Sequence, residues 1–186
     1  DVNLGKMVEY ALLNGRSSKD GHFVTIETGD PLTFKTYEEF ENAVKEQIKF
    51  AVRAQVQGSF VTDDIFEQTR PVPVLSLSYP DCIGNCKDYA WGGAKYNCGD
   101  GCMFVGLADL VNSCVAIKKL VFEEKKVTMQ EMLDALEHNF VGYEHIHKLC
   151  KEAPKYGNDI PEVDNMVGYL CKFAADYIES FSNHYG

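Results

Sequence analysis

Four consecutive residues, Thr36-Tyr37-Glu38-Glu39, commit this chain to a long helix. The threonine hydroxyl can accept the N–H of Glu39, and the Glu39 carboxylate can reach back to the N–H of Thr36. Two donors that a helix start leaves unbonded are then met together. Behind this cap Phe40, Val44, Ile48, Ala51 and Val52 form an apolar stripe, with Glu41, Lys45, Glu46 and Lys49 elsewhere. The pattern predicts one helix past Val56 towards Phe66, with a break near Gly58. Arg70-Pro71-Val72-Pro73 stops it, because proline lacks an N–H and disfavours helix in the residue before it.

The same logic finds other helices. Leu4, Met7, Val8, Ala11 and Leu12 share a face, and Asn14-Gly15 ends that run. Residues 16–35 are polar and turn-rich and predict a surface excursion. Helical period returns from Leu107 to Phe122. Thr128-Met129-Gln130-Glu131 is a second capping box, opening a helix expected to bury Met132, Leu136, Phe140 and Ile146. Pro161 fits the first turn of a last helix that buries Val163, Val167, Leu170, Ala174, Tyr177 and Phe181. The apolar run 74–80 fits either a strand or a buried helical turn. Cys102 to Gly106 predicts one buried strand, with Met103 and Val105 on one side and Cys102 and Phe104 on the other. The expectation is α/β but predominantly helical: about five helices with one or two strands, one domain over 1–186, and no internal repeat. A lone strand needs partners for its backbone. Either the chain is distorted, or the neighbouring strands lie in sequence beyond these residues.

Charge and cysteine usage narrow the function classes. Eighteen Lys and Arg against 28 Asp and Glu give a net charge of −10, which disfavours nucleic acid as a partner. No apolar run approaches the roughly 20 residues that span a bilayer. Seven cysteines in 186 residues form an odd set in a chain too long for a small secreted disulfide scaffold. Reduced thiols in a cytoplasm are therefore expected. The chain opens Asp1-Val2-Asn3, without Met and without a signal-peptide pattern, and reads as one entered mid-sequence.

Several groups of residues could carry chemistry. Cys82-x3-Cys86 and Cys98-x3-Cys102 resemble two thiolate pairs, although zinc ribbons use a two-residue spacer. The plainer expectation is four small hydrophobes in a buried loop, and no metal. His138, His145 and His147 are expected on one helix, at spacings that miss the i, i+4 metal pair, and so as surface residues. His22 is expected exposed. Glu123-Glu124-Lys125-Lys126 is expected to be a solvated helix end. Gly92-Gly93-Ala94-Lys95-Tyr96-Asn97 combines permissive glycines with polar side chains; a tight loop held by its own side chains is favoured over a ligand contact.

Taken together, several segments resemble one family. They are Gly92 to Asn97, Gly106-Leu107-Ala108-Asp109, Asn112-Ser113, the run 116–126, Asn139 to Glu144 and Ala153 to Asp159. Thr28-Gly29-Asp30-Pro31, followed by Phe34 to Glu39, also fits. In this order they are similar to the pyruvate formate-lyase-like domain of the glycyl radical enzymes, over essentially the whole chain. The resemblance implies a parent several times longer, folded as a ten-stranded α/β barrel wrapped by helices. It implies a glycyl radical installed by a radical-SAM activase, which passes to a cysteine whose thiyl attacks a small organic substrate. Chemistry of the lyase kind is implied: dehydration, C–N or C–S cleavage, or decarboxylation. The parent's partners would be the activase and substrate, with homodimerisation open.

The family's catalytic motifs are missing here. Its cysteine loop reads roughly Gly-Cys-Val-Glu, but Gly101-Cys102 is followed by Met103-Phe104. Its radical loop reads roughly Arg-Val-x-Gly-Tyr, and Val141-Gly142-Tyr143 lacks the Arg and the spacing. No residue is therefore assigned a catalytic role, and this chain is expected to bind no cofactor. The expected contribution is scaffold plus pocket wall, from Cys102, Met103, Phe104 and Val105, with the chain inactive alone. Two other classes remain: a free-standing helical module that binds a partner, and a four-cysteine metal protein.

Overall fold

The computed structural model describes residues 1–96 and 102–182. Strand β1 (Val2–Asn3) runs directly into helix α1 (Leu4–Leu12). After the excursion comes α2 (Tyr37–Thr69), followed by the short helices α3 (Pro73–Ser76) and α4 (Pro80–Gly84). Strand β2 (Phe104–Val105) leads into α5 (Leu107–Ile117), then α6 (Met129–Glu137), α7 (Glu144–Glu152) and α8 (Pro161–Glu179). Among the described residues eight α-helices thus stand where about five were expected, because one expected run divides into α6 and α7 and the short α3 and α4 add two.

Both capping boxes form as read: Thr36 with Glu39, and Thr128 with Glu131. Helix α2 shows no break at Gly58; its 33 residues continue to Thr69, roughly 50 Å at 1.5 Å per residue. A glycine inside a helix costs only about 1 kcal/mol, too little to end one with good caps and a buried face. The helix from Leu107 changes winding at Ile117, and Lys118–Glu123 is π-helical. This winding buries Leu120, whose carbonyl accepts the N–H of both Lys126 and Val127.

The helix expected from Thr128 through Ile146 divides. Asn139 and Phe140 take φ of 49° and 63°, and the Phe140 N–H closes onto the Ala135 carbonyl at 2.7 Å. The turn packs Phe140 against the cluster of Leu120, Val127, Met132, Ala135 and Ile146 and leaves Leu136 exposed. His138 ends α6, while His145 and His147 lie on α7, so the expectation of one helix for all three is wrong.

The main core is a ring of four helices, in which α1 packs on α5 and α2, and α8 packs on α2 and α5. Met7, Val8 and Ala11 meet Phe40, Val44, Ile48 and Val52, with Leu110, Val111, Cys114 and Val115 and then Val163, Leu170 and Ala174. Each Val, Leu, Ile, Phe or Met side chain among them contributes about 1.5–3 kcal/mol when fully buried. Val167, Tyr177 and Phe181 only flank this core. Lys45, Lys49 and Arg53 of α2 line the α8 seam against Tyr169, Phe173 and Tyr177; Lys45 bonds the Tyr169 hydroxyl and Arg53 the Tyr177 hydroxyl. The run 74–80 is no strand but the end of α3 and a turn into α4, and Val74 and Leu77 are exposed, so neither the strand nor the buried helical turn is found there.

Candidate site at the paired strands

The strand at 104–105 is not alone. It pairs in parallel with β1, Val2 opposite Phe104 and Asn3 opposite Val105, and the Val2 N–H donates to the Met103 carbonyl at 2.8 Å. The partner comes from this chain's own first residues, about a hundred positions away, which corrects the expectation of a strand without an internal neighbour. Among the described residues these two short strands form the one named sheet.

Each strand feeds a helix at the same end. Asn3 caps α1 by accepting the Lys6 N–H at 3.3 Å, and Gly106 turns into α5 at φ 76°. Alternation along the strands divides the four expected wall residues. Cys102 and Phe104 pack towards the helical core with Val2. Met103 and Val105 lie on the opposite face, 58% and 43% exposed, on the side of Asn3. The expected strand was fully buried; only one of its faces is covered. Burial pushes the pKa of the half-buried Cys102 thiol up, which favours its protonated form.

The two turns approach closely. A Cβ placed on Gly106 would stand 3.1 Å from Asn3 Oδ1, and one on Gly5 would stand 3.2 Å from the Asp109 Cβ. Sequence reasoning gave Asn3 and Gly5 no role and met Asp109 only as the end of the resembling segment Gly106 to Asp109. The Asn before a periodic run was a visible helix-start signal, but its place beside Gly106 depends on the strand pairing.

The other candidates fall elsewhere. The loop from Gly92 is held by its own chain as far as Tyr96: Asn85 Nδ2 donates to the Gly93 carbonyl at 2.9 Å, and the Lys95 N–H donates to Asp81 at 3.2 Å. Asn97 lies outside the described residues. Cys82 is buried and its thiol is raised by burial and by Asp88 and Asp81; Cys86 is exposed, and Cys98 lies outside the described residues. Among the described residues no group of three or more His, Cys, Asp or Glu can hold a metal ion. His147 stacks on Phe140 at 4.7 Å, His138 Nδ1 sits 2.8 Å from the Asp134 carbonyl, and His22 is exposed. The charged run from Glu123 is exposed; Lys118 pairs with Glu123 and Glu162, tying the π-helical segment to α8.

The family model for pyruvate formate lyase-like proteins matches residues 1–186. The chain is 38% identical over 167 residues to trans-4-hydroxy-L-proline dehydratase of Clostridioides difficile, covering 89% of this chain and 21% of that protein. It is 36% identical over 191 residues to isethionate sulfite-lyase of Bilophila wadsworthia, covering 100% of this chain and 22% of that protein. Among solved structures, a glycyl radical enzyme from Archaeoglobus fulgidus superimposes with a TM-score of 0.88 at 32% identity, covering 100% of this chain and 23% of that one. The chain thus spans about a fifth of the length of the relatives it matches.

Proposed function

Because the chain belongs to the pyruvate formate lyase-like family, we propose that it is an internal segment of a glycyl radical lyase, supplying helical buttress and a strip of pocket wall. In this reading β1 and β2 are two strands of a ten-stranded barrel, and the face bearing Asn3, Met103 and Val105 looks into its interior. The helices α1 and α5 lie on the other face, as crossover helices do in parallel α/β barrels, where function gathers at the carboxyl ends of strands. The observation that carries the proposal is this strand pair with one face covered by its own helices and one left bare. Uncovered apolar side chains support it. Val61 and Ile65 on α2, Val74 on α3 and Leu77 just after it are all more than half exposed, as expected of a surface that a larger body covers.

The parent's reactive cysteine and glycyl radical then lie outside residues 1–186. The radical is installed by a radical-SAM activase, and the substrate is a small organic molecule undergoing elimination or decarboxylation. Alone, the segment is inactive, because radical transfer requires both loops in near contact. The test is the reading frame around this segment. A Gly-Cys-Val-Glu motif upstream and an Arg-Val-x-Gly-Tyr motif downstream are expected, and the parent, treated anaerobically with its activase, should give the paramagnetic signal of a glycyl radical. Absence of both motifs would end the proposal. A free-standing partner-binding module would instead be monodisperse, without hydrophobic-dye binding; the bare apolar positions argue against it.

A further inference from the structure

The two strand-to-helix turns meet at one point, and each sets a short polar side chain against a glycine of the other. Asn3 Oδ1 faces Gly106, 3.1 Å from where a Cβ would stand, and is 3.3 Å from the same point on Gly5. From the second turn, the Asp109 Cβ stands 3.2 Å from that point on Gly5. The Gly5 nitrogen itself is 3.3 Å from the Cβ position of Gly106. Any side chain at Gly5 or Gly106 would meet a neighbour at 3.1–3.3 Å, so the turns approach this closely only because both positions lack one, while the pairing of Asn3 with Val105 holds them together. The Asn3 oxygen also caps α1, at the long distance of 3.3 Å to the Lys6 N–H. A serine could supply that cap as well, but its oxygen, one bond nearer the backbone, cannot reach across to Gly106.

We infer that Asn3 is a positioning residue. Its carboxamide oxygen, set between Gly5 and Gly106, fixes the spacing and register of the two strands and so decides where Met103 and Val105 stand. This rests on the proposed function, in which those two side chains face substrate. A misplaced wall loosens substrate binding without touching the radical chemistry itself, so KM moves more than kcat.

The experiment uses the full parent enzyme, activated anaerobically, with kcat, KM and melting temperature measured for four variants. Asn3→Ala and Asn3→Ser should each raise KM roughly tenfold with kcat little changed, the signature of lost uniform substrate binding, although serine restores the cap and most of the melting temperature. Gly106→Ala should raise KM similarly, by pressing a methyl onto the Asn3 oxygen and by straining the φ of 76° at the turn. Thr36→Ala, which removes an equivalent cap from α2, should lower the melting temperature and leave KM unchanged. If Asn3→Ser keeps the wild-type KM, or if Thr36→Ala raises KM as much as Asn3→Ala, Asn3 is only a cap and the inference falls. A wild-type parent that forms no radical and turns over no lyase substrate would overturn the functional proposal itself, and this inference with it.

Discussion

The Asp88 carboxylate accepts the Ser76 hydroxyl at 2.9 Å, and Ser76 Oγ in turn accepts the Tyr89 N–H at 2.8 Å. Asp88 also accepts the N–H of Val72 at 3.1 Å and of Ala90 at 2.9 Å. One carboxylate thus organises the segment from α3 to the loop at Gly93, a stretch with little apolar burial of its own. Replacing it with leucine leaves these donors unmet, a cost of about 1–3 kcal/mol. Hydrogen exchange at residues 72–93 should speed up in Asp88→Leu while the α1 and α5 amides keep their protection.

The same carboxylate gives this segment an acid limit. Partial burial works to raise its pKa, but the N–H groups of Ala90 and Val72 and the Ser76 hydroxyl outweigh it, holding the group below the usual carboxylate range. A depressed folded-state value means the stabilisation is complete above the unfolded-state value, near pH 4, and is lost as pH falls from there through the folded value. Loosening of 72–93 should therefore begin below about pH 4, and Asp88→Asn should show a flatter pH profile. An identical acid profile in both proteins would refute this.

Two glycines should respond to alanine in opposite directions. A Cβ on Gly93 would lie 2.1 Å from the Lys87 carbonyl oxygen, whereas Gly58, inside α2, has nothing within 4 Å. Gly93→Ala must displace backbone and should destabilise by about 1–3 kcal/mol. Gly58→Ala should stabilise by about 0.5–1 kcal/mol. Denaturant midpoints of the two variants should straddle that of the parent sequence.

Phe40 is fully buried, with ring centroids 6.2 Å from Tyr37 and 6.5 Å from Phe122. Phe40→Ala leaves a cavity between α2 and the π-helical segment and should cost about 3–5 kcal/mol. Phe40→Leu should cost less than half as much. Equal losses would mean the site collapses freely.

Thiol labelling should follow burial. Cys114 is fully enclosed and its thiol is pushed up to about 12, mainly by burial and then by Glu41. Cys86 and Cys171 are exposed. Iodoacetamide at pH 8 should modify Cys86 and Cys171 within minutes, and Cys114 only after denaturant is added. Rapid native labelling of Cys114 would contradict its enclosure in the core shared by α1, α2, α5 and α8.

Residues near one another in the chain determined the parts of this fold that local chemistry controls. Thr36 with Glu39, Thr128 with Glu131 and Pro161 mark helix starts because each satisfies, or does not need, a donor within one turn. The stripe from Phe40 to Val52 marks a buried face because helical spacing alone puts those side chains together. The family resemblance was legible in the same way, from ordered short motifs. The tertiary structure decided what depends on contacts between distant segments. Alternation alone divided Met103 and Val105 from Cys102 and Phe104, but nothing near Phe104 encodes that Val2 lies opposite it, and without that pairing neither which of the two sides is covered nor the meeting of Asn3 with Gly106 can be read. The turn at Phe140 likewise forms because Leu120 and Ile146 give its ring a place to bury, against a helical period that on its own runs straight through it.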